Sequence, residues 1–313
     1  MSVYRPDLNI TALGYIPEET IEADLAFCKV LKVLPNKLPK GLTKLDLSWC
    51  QSLTRLPILP KGLAILKLWQ CIGLTSLPNL PPRLTHLYLA FCKLTSLPEL
   101  PPELTELDLE GCDLTTLPKL PPRLTRLNLR GCKGLTSLPE LPPELTDLNL
   151  QDCNILTNLP ILPDNLTRLC LMGCSLSSLP KLPTSLTRLN LHGCNKLTRL
   201  PTLPEKLISL DLEGCNELIN LPVLSSELRF LNLRGRKKLA ALPELPAKLT
   251  YLDLSGGNNL LTTLPNLPKG MIHLDLSGCS KLTRLPNLPE GITHLDLSGC
   301  SSLINNSELV DQT

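Results

Sequence analysis

The stretch LTELDLEGCDLTTLPKLPPR, Leu104 to Arg123, decides the fold. Leu107 and Leu109 alternate with Glu106, Asp108 and Glu110. That period of two suits a short strand with its leucines turned inward. The second half, LPKLPPR, carries prolines that fix φ at about −65° and remove backbone donors. It predicts an extended, polyproline-like return and leaves no room for a helix. The same register runs through nearly the whole chain. Aligned on LxLxxC, one slot per copy falls at Cys28, Cys50, Cys71, Cys92, Cys112, Cys132, Cys153, Cys174, Cys194, Cys215, Arg236, Gly257, Cys279 and Cys300. Successive slots lie 20 to 22 residues apart.

The pattern matches the leucine-rich repeat, L-x-x-L-x-L-x-x-N/C-x-L. One copy cannot bury its own leucines, but copies stacked about 4.8 Å apart pair their strands into one parallel sheet. The expected fold is a leucine-rich repeat solenoid. It is a curved arc with a parallel β-sheet on the concave side, an extended convex side and almost no helix. Residues 1–20 depart from the consensus and read as an N-terminal cap, 21–304 as about 14 repeats, and 305–313 as a polar C-terminal tail. Two 22-residue steps insert a residue, near Asn36–Lys37 and at Gly257–Asn258, and read as loop bulges. Neither a linker nor a second domain is expected.

Composition agrees and excludes other classes. Of 313 residues, 82 are Leu and 31 Pro, so a repeated apolar core with a rigid return accounts for both excesses. A chain 42% hydrophobic and 19% charged is too apolar for disorder. The formal charge of +2 gives no electrostatic case for nucleic acid, and no uninterrupted apolar run is long enough for a transmembrane helix. The opening MSVYRPDLNI lacks the basic and apolar regions of a cleavable secretory signal.

Twelve of the 13 cysteines occupy the slot, one per coil. Metal sites need close pairs such as CxxC, so the column reads as a ladder of small, reduced, buried thiols, with no metal ligands and no cofactor. Cys170 alone stands on the outward face, between Leu169 and Leu171, and is expected to be the accessible thiol. No GxxxxGK[ST], HExxH or GxSxG occurs. The last repeats read YLDLS, HLDLS and HLDLS. Their His, Asp and Ser lie along one strand with parallel side chains, so no base is set against a nucleophile and no catalytic residue is assigned. Asp253, Asp275 and Asp296 stack on adjacent strands and could attract a cation, although consensus repetition accounts for them.

Positions six, four and two residues before each slot face away from the core. Over fourteen repeats they carry seven cations and twelve anions, 7 − 12 = −5, the wrong sign for a phosphate groove. All four histidines fall on this face, as do Trp69, Tyr88, Phe230 and Tyr251. Ile65, Lys67, Trp69, His86 and Tyr88 form the expected N-terminal contact patch, exposed aromatics being common interface anchors. Arg126, Arg130, Arg168, Met172 and Arg188 belong to a middle band that also carries Glu106, Asp108, Glu110 and Asp147 on neighbouring strands. Its alternating signs either satisfy one another across strands or present arginines to a partner. Phe230, Arg234 and Tyr251 complete the protein-binding candidates.

The residues LPELPPELTELDLEGC, Leu97 to Cys112, and their copies resemble the short LP-rich repeats of bacterial secreted effectors of the YopM and IpaH type. That resemblance implies delivery without a cleavable signal peptide, reduced cysteines, and a concave face that binds a host signalling protein in the host cytoplasm or nucleus. Some members carry a ubiquitin-ligase domain with its nucleophile in a C-x-D motif. None of the 13 cysteines here precedes Asp by two residues, so ligase activity is not implied. LDLSGCSKL and LDLSGCSSL, from Leu274 and Leu295, are also similar to repeats of plant intracellular immune receptors. Both resemblances imply binding: a non-enzymatic interaction module, a scaffold that recruits an enzyme in trans, or an immune-receptor-like recognition domain.

Overall fold

The structure is a computed structural model that describes residues 3–257 and 260–303. It contains no helix among the described residues, only short strands joined by turns and extended segments. Asn258 of the second inserted step, and the expected tail 305–313, lie outside the described residues. The chain divides into two compact units, Met1–Leu166 and Thr167–Thr313.

The first unit carries β1 (Val3–Tyr4), β2 (Glu22–Asp24), β3 (Lys44–Asp46), β4 (Ile65–Lys67), β5 (His86–Tyr88), β6 (Glu106–Asp108), β7 (Arg126–Asn128) and β8 (Asp147–Asn149). The second carries β9 (Arg168–Cys170), β10 (Arg188–Asn190), β11 (Ser209–Asp211), β12 (Phe230–Asn232), β13 (Tyr251–Asp253), β14 (His273–Asp275) and β15 (His294–Asp296). Within each unit, successive strands pair in parallel and in register, so equivalent positions of consecutive repeats stand side by side. The N-terminal segment joins this order, with Val3 and Tyr4 paired to Glu22 and Ala23.

Each coil closes by the same local chemistry, and the consensus letters are its parts. In the Leu104–Arg123 coil Leu104, Leu107, Leu109, Cys112, Leu114 and Leu120 are buried, a column of apolar groups that only stacking can complete. The threonine after the first leucine donates its hydroxyl to the preceding coil's backbone, as Thr105 Oγ1 does to Thr85 O at 3.0 Å and Thr125 to Thr105 O at 3.0 Å. Asp or Asn at the end of the strand accepts the N–H two residues on, as in Glu110 N to Asp108 Oδ1 at 3.2 Å and Arg130 N to Asn128 Oδ1 at 3.2 Å. This Asx turn ends the strand after three residues.

The residue before the slot then turns left-handed, which explains the consensus glycine: Gly111 has φ 66 and Gly131 φ 68. The slot thiol donates to a carbonyl of the preceding coil, for example Cys112 Sγ to Leu89 O at 3.2 Å and Cys132 Sγ to Leu109 O at 3.2 Å. Cysteine is thus chosen for size and a weak donor. The proline return is extended, as expected, but it closes with a turn. Leu104 N donates to Pro101 O and Leu124 N to Pro121 O, both at 3.2 Å.

Candidate functional site

Because middle strand residues point inward, their neighbours face outward on every strand, and register alone builds rows of side chains across the sheet. In the first unit, Ile65 stands beside His86 and Lys67 beside Tyr88. Trp69, 45% exposed, meets Tyr88 edge-on at 6.1 Å, and His86 lies 6.2 Å from the same ring. Glu106 gathers this group. It accepts the Tyr88 hydroxyl at 2.6 Å and Arg126 Nη1 at 3.0 Å, with His86 Nε2 at 3.6 Å. Burial alone would push the Glu106 carboxyl up, but the hydrogen bonds from Tyr88 and Arg126 outweigh it and hold the group below its ordinary value. Burial, then the bond to Glu106, raises the Tyr88 phenol, which stays a protonated donor.

The structure brings Ile65, Lys67, Trp69, His86 and Tyr88 onto one surface, but Lys67 leans back to Asp46 at 3.5 Å. Arg126 and Arg130 pair with Glu106 and Glu110 at 3.0 and 3.5 Å. These are the cross-strand pairs that alternating signs allow. Both arginines remain exposed, and such surface pairs are worth little, so they leave the guanidinium faces open to a partner.

In the second unit Arg168 and Arg188 are register neighbours and exposed, with Cys170 and Met172 half-buried on the same face. Cys170 is indeed the one cysteine of thirteen that is not buried, and none forms a disulfide. Glu213 collects His192 at 3.5 Å, Asn232 Nδ2 at 3.1 Å and Arg234 at 3.9 Å.

Phe230 and Tyr251 belong to a longer ladder. Phe230, Tyr251, His273 and His294 occupy one register row and stack face to face, with centroids 4.5, 4.2 and 4.1 Å apart and planes within 17°, 7° and 5°. Burial, then repulsion from His294, holds the His273 imidazole below its ordinary range. The next row holds Asp253, Asp275 and Asp296, whose Oδ1 atoms accept the N–H groups of Ser255, Ser277 and Ser298 at 2.8, 2.9 and 2.8 Å. That bond is a strand-ending device, so His, Asp and Ser in these repeats are architecture before they are chemistry.

Sequence reasoning located Phe230 and Tyr251 but not the four-ring row. The signal was present in positions six before the last four slots, which read Phe, Tyr, His, His. It also missed a row at the residue before the slot, where Phe27 and Phe91 are exposed and Phe27 stacks on Trp49 at 6.0 Å.

No protein-family model matches the chain, and no curated protein matches it by sequence. Solved structures match it by fold. YopM from Yersinia pestis aligns at a TM-score of 0.69 and 27% identity over 93% of this chain and 86% of that one. YopM from Yersinia enterocolitica WA-314 aligns at 0.63 and 27%, over 95% and 79%. A leucine-rich repeat protein from Bacteroides ovatus aligns at 0.53 and 18%, over 96% and 85%, a likeness of fold alone. The fold is that of a leucine-rich repeat solenoid, a repeat scaffold for protein interaction. No helix among the described residues is long and apolar enough to cross a membrane.

Proposed function

We propose that this protein is a non-enzymatic interaction protein of the secreted bacterial effector type. It captures a host protein on the exposed face of its sheet, in the reducing host cytoplasm or nucleus. The observation that carries the reading is the group around Glu106, where Trp69 packs edge-on against Tyr88 and His86 lies tilted beside it on the strand surface. Rings already fixed by neighbours lose little conformational entropy on binding, so a few anchors suffice. The similarity to YopM, a leucine-rich effector in Yersinia pestis, supports the effector part of the reading.

Replacing Trp69 and Tyr88 together by Ala tests it. Capture of the partner from host-cell extract should fall by about tenfold or more, the scale of a lost aromatic anchor pair. Far-ultraviolet circular dichroism and the melting temperature should change little, because neither ring lies in the leucine column. Undiminished capture by the double variant would refute this patch as the contact site.

A further inference from the structure

We propose that His273, Asp275 and His294 form a binding site for a divalent transition-metal ion of the imidazole-preferring class, with Zn2+ as its probe. Strands β14 and β15 run parallel and in register, so His273 stands beside His294 and Asp275 beside Asp296. One donor atom from each of His273, Asp275 and His294 lies within 4.8 Å of the other two. Two imidazoles and one carboxylate suit zinc, nickel or copper far better than calcium or magnesium. A tetrahedral ion with ligands at about 2.0–2.1 Å sets its donors about 3.4 Å apart, so the three must draw together from within that limit. The rings are parallel at 4.1 Å, so chelation turns each about its outer side-chain torsion until the lone pairs converge. That torsion is soft, and the metal bonds must offset the stacking that His273 gives up against Tyr251 and His294.

Charge points to the same place. Elsewhere on this face Glu22, Asp46, Glu106, Glu110 and Glu213 each have a Lys or Arg partner, while Asp108 and Asp211 accept instead from Asn128 Nδ2 and the Glu213 N–H. Among the described residues no Lys or Arg pairs with Asp253, Asp275 or Asp296, three consecutive carboxylates beside the imidazole row. Like charges so aligned disfavour one another, and a bound cation relieves them. Asp275 is also held in place, since Ser277 N–H fixes its Oδ1 and leaves the other oxygen to coordinate. The second cluster of similar composition, His192, Asp211 and Glu213, is a poorer cation site, because Arg234 and Asn232 already engage Glu213. Three protein ligands leave one tetrahedral position for water or another donor.

The test titrates metal-free, tag-free full chain carrying Cys170→Ser with ZnCl2, by calorimetry and by histidine Hε1 resonances. One equivalent should bind and shift the His273 and His294 signals. His273→Ala and His294→Ala should each weaken uptake by about tenfold or more, the loss of one imidazole donor. Asp275→Asn, which keeps the Ser277 bond, should weaken it less. Absence of uptake, uptake that leaves both resonances in place, uptake retained by the doubly substituted protein, or loss on His192→Ala instead would each overturn the assignment. The resonance measurement uses unaltered histidines, so a variant that fails to fold leaves the proposal open to refutation.

Discussion

At the scale of single residues, the position before the slot shows how the repeat tolerates strain. In each coil it is left-handed, and glycine fills it at Gly111, Gly131, Gly193 and Gly214. Phe27, Trp49, Gln70, Phe91 and Asp152 hold the same conformation with φ between 59 and 67, a cost of order 1 kcal/mol each. The aromatics recover part of it by covering the next coil. Phe91 lies so close over Gly111 that an added Cβ would sit 2.6 Å from its ring. Gly111→Ala therefore meets both a disfavoured backbone region and an occupied space, and should destabilise by about 1–3 kcal/mol. A urea midpoint equal to that of the parent would contradict this. The glycine was legible as a consensus letter, but the aromatic ridge was not, because its meaning depends on a conformation that the letters do not state.

At the scale of one coil, the slot column is the element that carries the stacking. Two coils depart from Cys in this slot, at Gly257 and at Arg236, and Arg236 is fully buried, with Nη2 donating to Leu218 O. Burial pulls its guanidinium pKa down to about 10 from 12.5, so it stays protonated at neutral pH and disfavours the folded state by about 3 kcal/mol. A cation whose folded pKa is lowered is a burden below that value and is relieved as pH rises through it. Arg236→Cys should thus raise the thermal midpoint at pH 7, with the new thiol donating to Leu212 O like its neighbours, and the gain should shrink above about pH 10. A lower midpoint would mean that the arginine stabilises its coil. The departure from Cys was visible in the sequence, but its cost depends on full burial, which neighbouring coils impose.

At the scale of the whole molecule, the buried thiols act together. Burial, with repulsion from neighbouring cysteines in several coils, raises Cys50, Cys92, Cys132 and Cys279 to about 12, and Cys153 and Cys215 to about 11, from 9.0. The folded chain therefore keeps protons that the unfolded chain releases above pH 9. This contribution is complete below pH 9 and is lost as pH climbs toward the folded values, at about 1.4 kcal/mol per pH unit for each thiol. In reductant, the melting temperature should hold steady to about pH 9 and then fall steeply by about pH 10.5. A flat profile across that interval would show that the column is not buried as a set.

What the sequence determined is the coil. Leucine spacing, proline positions, the threonine, the Asx residue, the glycine and the cysteine each answer a requirement met within one repeat or against the next. The outward face, Cys170 and the Trp69–Tyr88 patch followed from alternation alone. Tertiary structure decided which of those outward groups meet. It set Lys67 against Asp46 and Glu106 among His86, Tyr88 and Arg126, left the last carboxylate row without a cation among the described residues, and stacked two histidines beside it. The reason is physical: periodicity fixes the direction of a side chain, but contact depends on strand register and on rotamers, and only folding sets those.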